Sequence, residues 1–487
     1  MRPSDLVAAT PASRDRFIDL LRVASLATVV LGHWLMAAVS VEADGRVQVG
    51  NLLALQPRLQ LLTWVFQVMP VFFFVGGFSH ALSWRSTRRR TTRAYSVFLR
   101  ARLQRLLRPT VVFIGVWGAV AAALQMSGHG GGLLDVTLRL VAQPLWFVGI
   151  YLAMVAFTPP LLGLHERYGW GAFGGLVAAA GLVDLLRFGL GVPYVEFLDF
   201  AFVWLAVHQL GFLRADGRLG RPYVLAGAGL AGAALLVALG PYPVSMVGMP
   251  GEKVSNMAPP TLALLCHGLW LVGAVELLRA PAARWLDRPR VWRTVVAANG
   301  VSMTAFLWHL TALLGVYGAL LALGVRLPEP GSGAWWIQVP WRIVAAVTLT
   351  GALVAVFRVF EKPSGAREPS APRAWAGPAA ALGVTFCLFG VLGLSAVGFG
   401  GLLQARTALL IAVHVTAPAA VVMTLSGWLL VERAGRGRGA AVRPVPEVAD
   451  GVPADAEAGR RSHANSLRRV TIRSRPATTS AGPRLEG

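Results

Sequence analysis

The stretch "RDRFIDLLRVASLATVVLGHW", Arg14 to Trp34, is apolar for long enough to cross a membrane, yet it carries an acid, a guanidinium and an imidazole. Apolar runs of about 18 residues or more match a hydrocarbon core of ~30 Å when they are helical. Hydrocarbon gives backbone groups no water to bond, so such a run is a helix or a barrel strand. Barrel strands alternate polar and apolar over roughly 10 residues, and this run does not. Read as a helix, it sets Arg22 and His33, eleven positions apart, on one face with about 16 Å between their levels. Asp19 lies one turn before Arg22, on nearly the same face. The expectation is a single polar stripe entering the bilayer, with Arg22 at its mouth and His33 about halfway in. Ionisable groups at that depth are costly and usually face the bundle interior, where they serve function. The plainer alternative makes Asp19 and Arg22 an interfacial ion pair and His33 an interhelical hydrogen-bond partner.

The rest of the chain has the same character. Of 487 residues, 55% are hydrophobic and 14% charged, which excludes an ordinary soluble domain. Twelve apolar runs read as spans, roughly 17–39, 59–84, 109–125, 145–164, 170–190, 197–213, 223–239, 260–278, 295–324, 339–360, 375–397 and 403–431. The ninth is long enough to be tilted or broken. The fold class is therefore an all-α, polytopic membrane bundle. A polar segment precedes the first span, which is itself long and charged at its start, so the span is expected to be retained rather than cleaved.

The net charge of +22 is almost all arginine, Lys253 and Lys362 being the only lysines. These arginines sit between spans, so they report topology and not nucleic-acid binding. Cytoplasmic loops collect Lys and Arg. Arginines crowd the connections 85–108, 214–221, 279–293 and 358–373, and are sparse in the alternate ones. That alternation fits twelve spans with both termini cytoplasmic, in the plasma membrane. Residues 434–487 turn polar and rich in Gly, Pro, Ala and Ser; they read as a disordered, basic cytoplasmic tail. Arg468, Arg469, Arg473 and Arg475 in it can touch anionic lipid head groups. Cys266 and Cys387 lie inside apolar runs and read as small hydrophobes. No histidine pair has metal-ligand spacing, and no metal is expected.

Several segments resemble family 3 membrane acyltransferases. "DLLRVASLATVVLGH" is similar to the family's opening helix, an arginine followed after ten residues by a histidine, which Arg22 and His33 match. "PVFFFVGGFSHAL" resembles its aromatic run ending in a small-small-Phe turn. "FLRARLQRLLRP" resembles its Arg-x-Arg pattern, at Arg100 and Arg102, followed by Arg105 and Arg108. "LWFVGIYL" (145–152), "SMTAFLWHL" (302–310) and "FRVFEKP" (357–363) follow in the family's order. The resemblance assigns residues 16–365 to a ten-helix acyltransferase domain after a short cytoplasmic segment, 1–15, and leaves 366–433 as two additional helices.

The resemblance implies transfer of an acyl group, such as acetyl, from acyl-CoA to a hydroxyl of a carbohydrate, cell-envelope glycan or secondary metabolite. Acyl-CoA is then a co-substrate, and no bound cofactor is expected. His33 is the general base or the acyl acceptor, Arg22 binds the donor or steadies oxyanion charge, and Asp19 completes the catalytic trio. Arg100, Arg102, Arg105 and Glu361 are placed at the donor, where planar guanidinium groups suit phosphate; the positive-inside rule alone also accounts for the arginines, and a solvated helix end for Glu361. His309 is an acceptor-side or packing residue, and Asn256 shapes the acceptor's entrance or an ordinary loop. His208, with Asp199 and Gln209, and His267 lie in other spans. A separate extracytoplasmic partner is compatible with transfer to the outer face. The competing reading is a proton-coupled transporter, since twelve spans with buried His and Arg suit one. Against it, the halves show no internal repeat. A degenerate scaffold is a third reading, weakened by the presence of both Arg22 and His33.

Overall fold

The computed structural model describes residues 14–42, 44–128, 132–249, 251–361, 375–403, 406–410 and 413–434. The expected tail, the connection carrying Lys362, Arg367 and Arg373, and nearly all of the N-terminal segment lie outside the described residues.

The chain opens with α1 (Arg16–Met36), whose N-terminus is capped by the Asp15 carboxylate accepting from the Phe17 and Ile18 amides. It passes directly into an antiparallel hairpin, β1 (Ala37–Val41) and β2 (Val47–Asn51), paired in the register Ala37↔Asn51 and Val41↔Val47. Short helical turns over 52–66 lead to α2 (Met69–Arg90). The core helices then follow: α3 (Ala94–Met126), α4 (Gly132–Ala142), α5 (Leu145–Tyr168), α6 (Trp170–Asp184) and α7 (Asp199–Ala215). Next come α8 (Pro222–Leu239), α9 (Leu262–Leu277), α10 (Arg279–Leu286), α11 (Pro289–Asn299), α12 (Ser302–Ala322) and α13 (Gly333–Phe357). A last group holds α14 (Ala376–Val397), the hairpin β3 (Thr407–Leu410) and β4 (Val413–Thr416), and α15 (Ala417–Ala434).

Among the described residues ten helices are long and apolar enough to cross a membrane, or eleven if α9 and α10, bent by 50°, count as one span. The protein is a multi-pass, all-α membrane bundle. Two expectations change, and the ninth run, expected to be tilted or broken, is broken. The run expected as a twelfth span at 403–431 is broken: its first part forms the hairpin β3–β4 from β-branched residues such as Thr407, Val413 and Val415, and helix begins only at Ala417. The long ninth run is two helices, an amphipathic α11 and a membrane helix α12, separated at Gly300 and Val301. The arginine-rich connection is scarcely a loop: α2 continues to Arg90 and α3 starts at Ala94, so Arg100, Arg102, Arg105 and Arg108 ride on helix. Arg, Leu and Ala are good helix formers, so nothing local stops the helix there. Pro109 inside α3 is tolerated; beside it Thr110 returns a hydrogen bond to the Leu106 carbonyl at 2.7 Å.

Between helices in lipid there is no hydrophobic driving force, so close backbone approach at small residues does much of the work. The crossing of α2 and α7 shows it. A Cβ on Gly77 would stand 1.9 Å from the His208 carbonyl oxygen, and one on Gly211 would stand 2.3 Å from the Phe74 oxygen. This crossing matters for function, because it sets His80 of α2 against His208 of α7. We predict that Gly77→Ala, which forces a methyl group into backbone, destabilises the fold by ~3 kcal/mol or more; the check is a thermal melt of the detergent-purified variant, and an unshifted midpoint would contradict this packing.

Candidate active site

Two polar clusters lie along α1. The first is at its start. Asp19 is buried, and Arg14 forks onto both of its oxygens at 2.5 and 3.0 Å. Arg22 reaches the same carboxylate at 3.4 Å and donates its other nitrogen to Ser79 Oγ at 2.8 Å. From α3, Arg102 donates to the Ser79 carbonyl and to Ser83 Oγ, both at 3.1 Å. Ser79 thus ties two guanidinium groups from distant parts of the chain. The next residue, His80, is fully buried; its Nδ1 lies 3.0 Å from His208 Nε2 and its Nε2 lies 3.0 Å from the Tyr151 hydroxyl. Arg22 and Arg102 both act electrostatically on His80.

Of the residues assigned to the donor, only Arg102 joins Arg22. Arg100 pairs with Glu432 of α15 at 3.4 Å. Arg105 is exposed and acts on Glu361 electrostatically. Glu361 itself accepts from the Met303 and Thr304 amides, each at 3.1 Å, and from the Thr304 hydroxyl at 2.6 Å. Those amides are the orphan donors of the first turn of α12, so Glu361 works there as a helix cap. Sequence reading passed over Ser79, His80 and Tyr151. The signal was present for His80, an ionisable residue inside an apolar run.

The second cluster is at the far end of α1. His33 sits in its last turn, not midway along it, and packs against the first half of α12. His33 Nδ1 is 2.7 Å from His309 Nε2, with the rings stacked at 5.0 Å between centroids and 8° apart. His309 Nδ1 bonds the Phe306 carbonyl oxygen, and Trp34 Nε1 donates to the His309 carbonyl at 3.1 Å. A carbonyl only accepts, so His309 carries its proton on Nδ1 and its Nε2 accepts. His33 must then carry its proton on Nδ1. That leaves Nε2 of His33 as a lone-pair acceptor. His309 is therefore not a mere packing residue; it fixes the tautomer and plane of His33.

His33 lines a cavity of about 210 Å³, together with Thr28, Val29, Gly32 and Met36 of α1, Phe66 and Gln67, Trp146 and Phe147 of α5, and Phe306 of α12. Arg22 is not part of its wall. The expected single stripe is thus split. Along α1 the cavity stops at Thr28, six residues and roughly 9 Å of rise from Arg22. Aromatic rings stand at its inner end: Phe147 lies 4.8 Å from both Phe72 and Phe306, and Phe72 lies 5.7 Å from Tyr151. Tyr151 in turn bonds His80, so the septum runs from one polar cluster to the other. Asn256 stays inside its own loop. Its amide donates to the Pro243 and Ser245 carbonyls at 2.7 and 2.9 Å and accepts from Thr261 at 2.8 Å. Among the described residues no three His, Cys, Asp or Glu side chains converge as a metal site.

The sequence profile of the acyltransferase domain of family 3 matches residues 15–358. The chain belongs to this family. It is an acyltransferase, and the match runs from the Asp15 cap almost to Glu361, covering both clusters and the cavity. The transporter and scaffold readings therefore fall away. No curated protein and no solved structure matches the chain. For this acyltransferase we predict that Glu361→Ala costs about 1–2 kcal/mol of stability through the lost cap, with the KM for acyl-CoA unchanged. Thermal melts and initial rates check both, and a raised KM with an unshifted melt would return Glu361 to the donor site.

Proposed function

We propose that the enzyme moves an acyl group from acyl-CoA to a hydroxyl, with Nε2 of His33 as general base. The observation that carries this reading is His33 on the wall of a cavity, held by His309 in the tautomer that leaves its Nε2 unprotonated. In the reaction, His33 Nε2 takes the acceptor's hydroxyl proton as the oxygen attacks the thioester carbonyl. The tetrahedral intermediate collapses, the carbon–sulfur bond breaks, and the imidazolium returns its proton to the CoA thiolate. His309 holds the His33 ring through both steps and shares the transient positive charge.

Arg22 and Arg102, joined through Ser79, supply the cationic end for the donor's phosphates, and Asp19 keeps the Arg22 guanidinium in place. Asp19 is then a positioning residue. The arginine-rich ends of α2 and α3 support a cytoplasmic face there, with both termini on that side, where acyl-CoA is found. The extended pantetheine arm spans from the arginines toward His33, which requires the Phe72–Phe147–Phe306 septum to part. Acyl-CoA serves as co-substrate, and the reading calls for no resident cofactor.

Two expectations follow for acyl-CoA hydrolysis and transfer by the purified enzyme. His33→Ala should insert normally and lose about 10²-fold or more in kcat; full turnover in that variant removes the mechanism. Arg22→Ala and Arg102→Ala should each raise the KM for acyl-CoA by about tenfold, the worth of one charge-assisted hydrogen bond. Unaltered kinetics with several donors would exclude these arginines from the donor site.

A further inference from the structure

Several polar atoms in the cavity wall are engaged already. Gln67 donates to the Met246 carbonyl at 3.1 Å and to Met257 Sδ at 3.0 Å, and it accepts from the Met69 amide at 3.4 Å. Thr63 donates to the Gln60 carbonyl at 2.5 Å and accepts from the Met246 amide at 2.9 Å. The Asn51 side-chain oxygen accepts from the Leu53 amide at 2.9 Å. No Asp, Glu, Lys or Arg lines the cavity. The remaining polar groups, among them Thr28, Gln143 and Nε2 of His33, stand among Leu, Val, Met and Phe side chains, and the wall offers nothing to a charged ligand. A buried charge without a partner is penalised, so this wall discriminates against charged acceptors.

The rim is the second observation. Of the exposed lining residues, four are large and apolar: Leu31 at 36%, Leu62 at 51%, Phe66 at 46% and Trp336 at 41%; Gln143 and Gly248 are exposed too. Leu55, Leu61 and Val65 beside them are exposed as well. On a membrane bundle, exposed large apolar side chains of this kind face lipid, and here they border the cavity. Leu62 and Phe66 precede α2 and Trp336 opens α13, so these rim residues lie at the ends of those helices remote from Ser79 and from Glu361.

We propose that this cavity takes its acceptor sideways from the bilayer: an uncharged, membrane-dissolved alcohol with an apolar body, presenting one hydroxyl to His33. The proposal rests on the acyl-transfer reading above and narrows its acceptor class. The volume holds only the reacting end of such a molecule, while the remainder lies across the Leu62–Phe66 rim in lipid.

The test uses the full chain in lipid nanodiscs with a farnesyl alcohol carrying a diazirine, and in parallel measures acetyl-CoA cleavage by wild type and His33→Ala. The expected label falls on peptides spanning 59–67 and 143–147, is displaced by excess geranylgeraniol and not by glucose, and drops about tenfold in Phe66→Arg, where a cation is placed against an apolar ligand. Leu62→Trp, a steric plug at a more exposed site, should reduce it too, whereas Val347→Arg, exposed on α13, should not. Label spread evenly over the lipid-facing surface overturns the proposal. So does displacement by palmitoyl-CoA but not by geranylgeraniol, which would assign the cavity to the donor's acyl chain. Acetyl-CoA cleavage that depends on His33, without cavity label, refutes this inference alone; label without such cleavage refutes the acyl-transfer reading and the acceptor role with it.

Discussion

Inside hydrocarbon a side-chain donor or acceptor has no water to bond, and that constraint decides where most polar residues of this bundle end up. Each finds its partner on another helix or on a carbonyl freed by a turn. Ser79 serves Arg22 and Arg102 together; Glu361 serves the exposed amides at the start of α12; His309 serves His33. Such contacts cross between helices, so they fix rotation and depth in a way that uniform apolar packing does not. Among the described residues there are exceptions: Asp199 is fully buried with neither carboxylate oxygen bonded, and the Thr350 hydroxyl and the Trp204 and Trp335 indole nitrogens are buried without partners.

The same constraint separates the chemistry into two compartments. At one end of α1 the bonded groups are cationic and suit phosphate. At the other they are neutral imidazoles beside an apolar hollow, which suits an attacking alcohol. Between them stands a wall of phenyl rings that touch edge to face. On the proposed reaction such a wall would keep water from the thioester until the acceptor is in place, and its three phenyl rings carry no hydrogen bond that moving aside would break. Tyr151 is the member that links the wall to the cationic end, through its hydroxyl on His80.

Much of this was legible from the residues. Most helix positions followed from apolar run length; the single stripe expected of Arg22 and His33 is instead two clusters, one on Ser79 and one on His309. What escaped were pairings between residues far apart in the chain. His33 and His309 are 276 residues apart, and no periodicity connects them. Arg100 read as equivalent to Arg102, yet two positions along a helix point to different neighbours, one to Glu432 and the other to Ser79 and Ser83. The hairpin β1–β2 was read as the end of the first span, to 39, and the connection after it, although Val39, Val41, Val47 and Val49 alternate on either side of a turn at Gly45, a pattern typical of paired strands. Its short length and its place between two spans hid it.

The central claim is that His33 and His309 act as one unit, and a double-mutant cycle on kcat tests it most directly. Rates are needed for wild type, His33→Gln, His309→Gln and the double variant. Residues that work as a unit lose their effect together, so the double variant should be no slower than His33→Gln alone. Losses that simply multiply would show that the two imidazoles act independently, and would contradict the account.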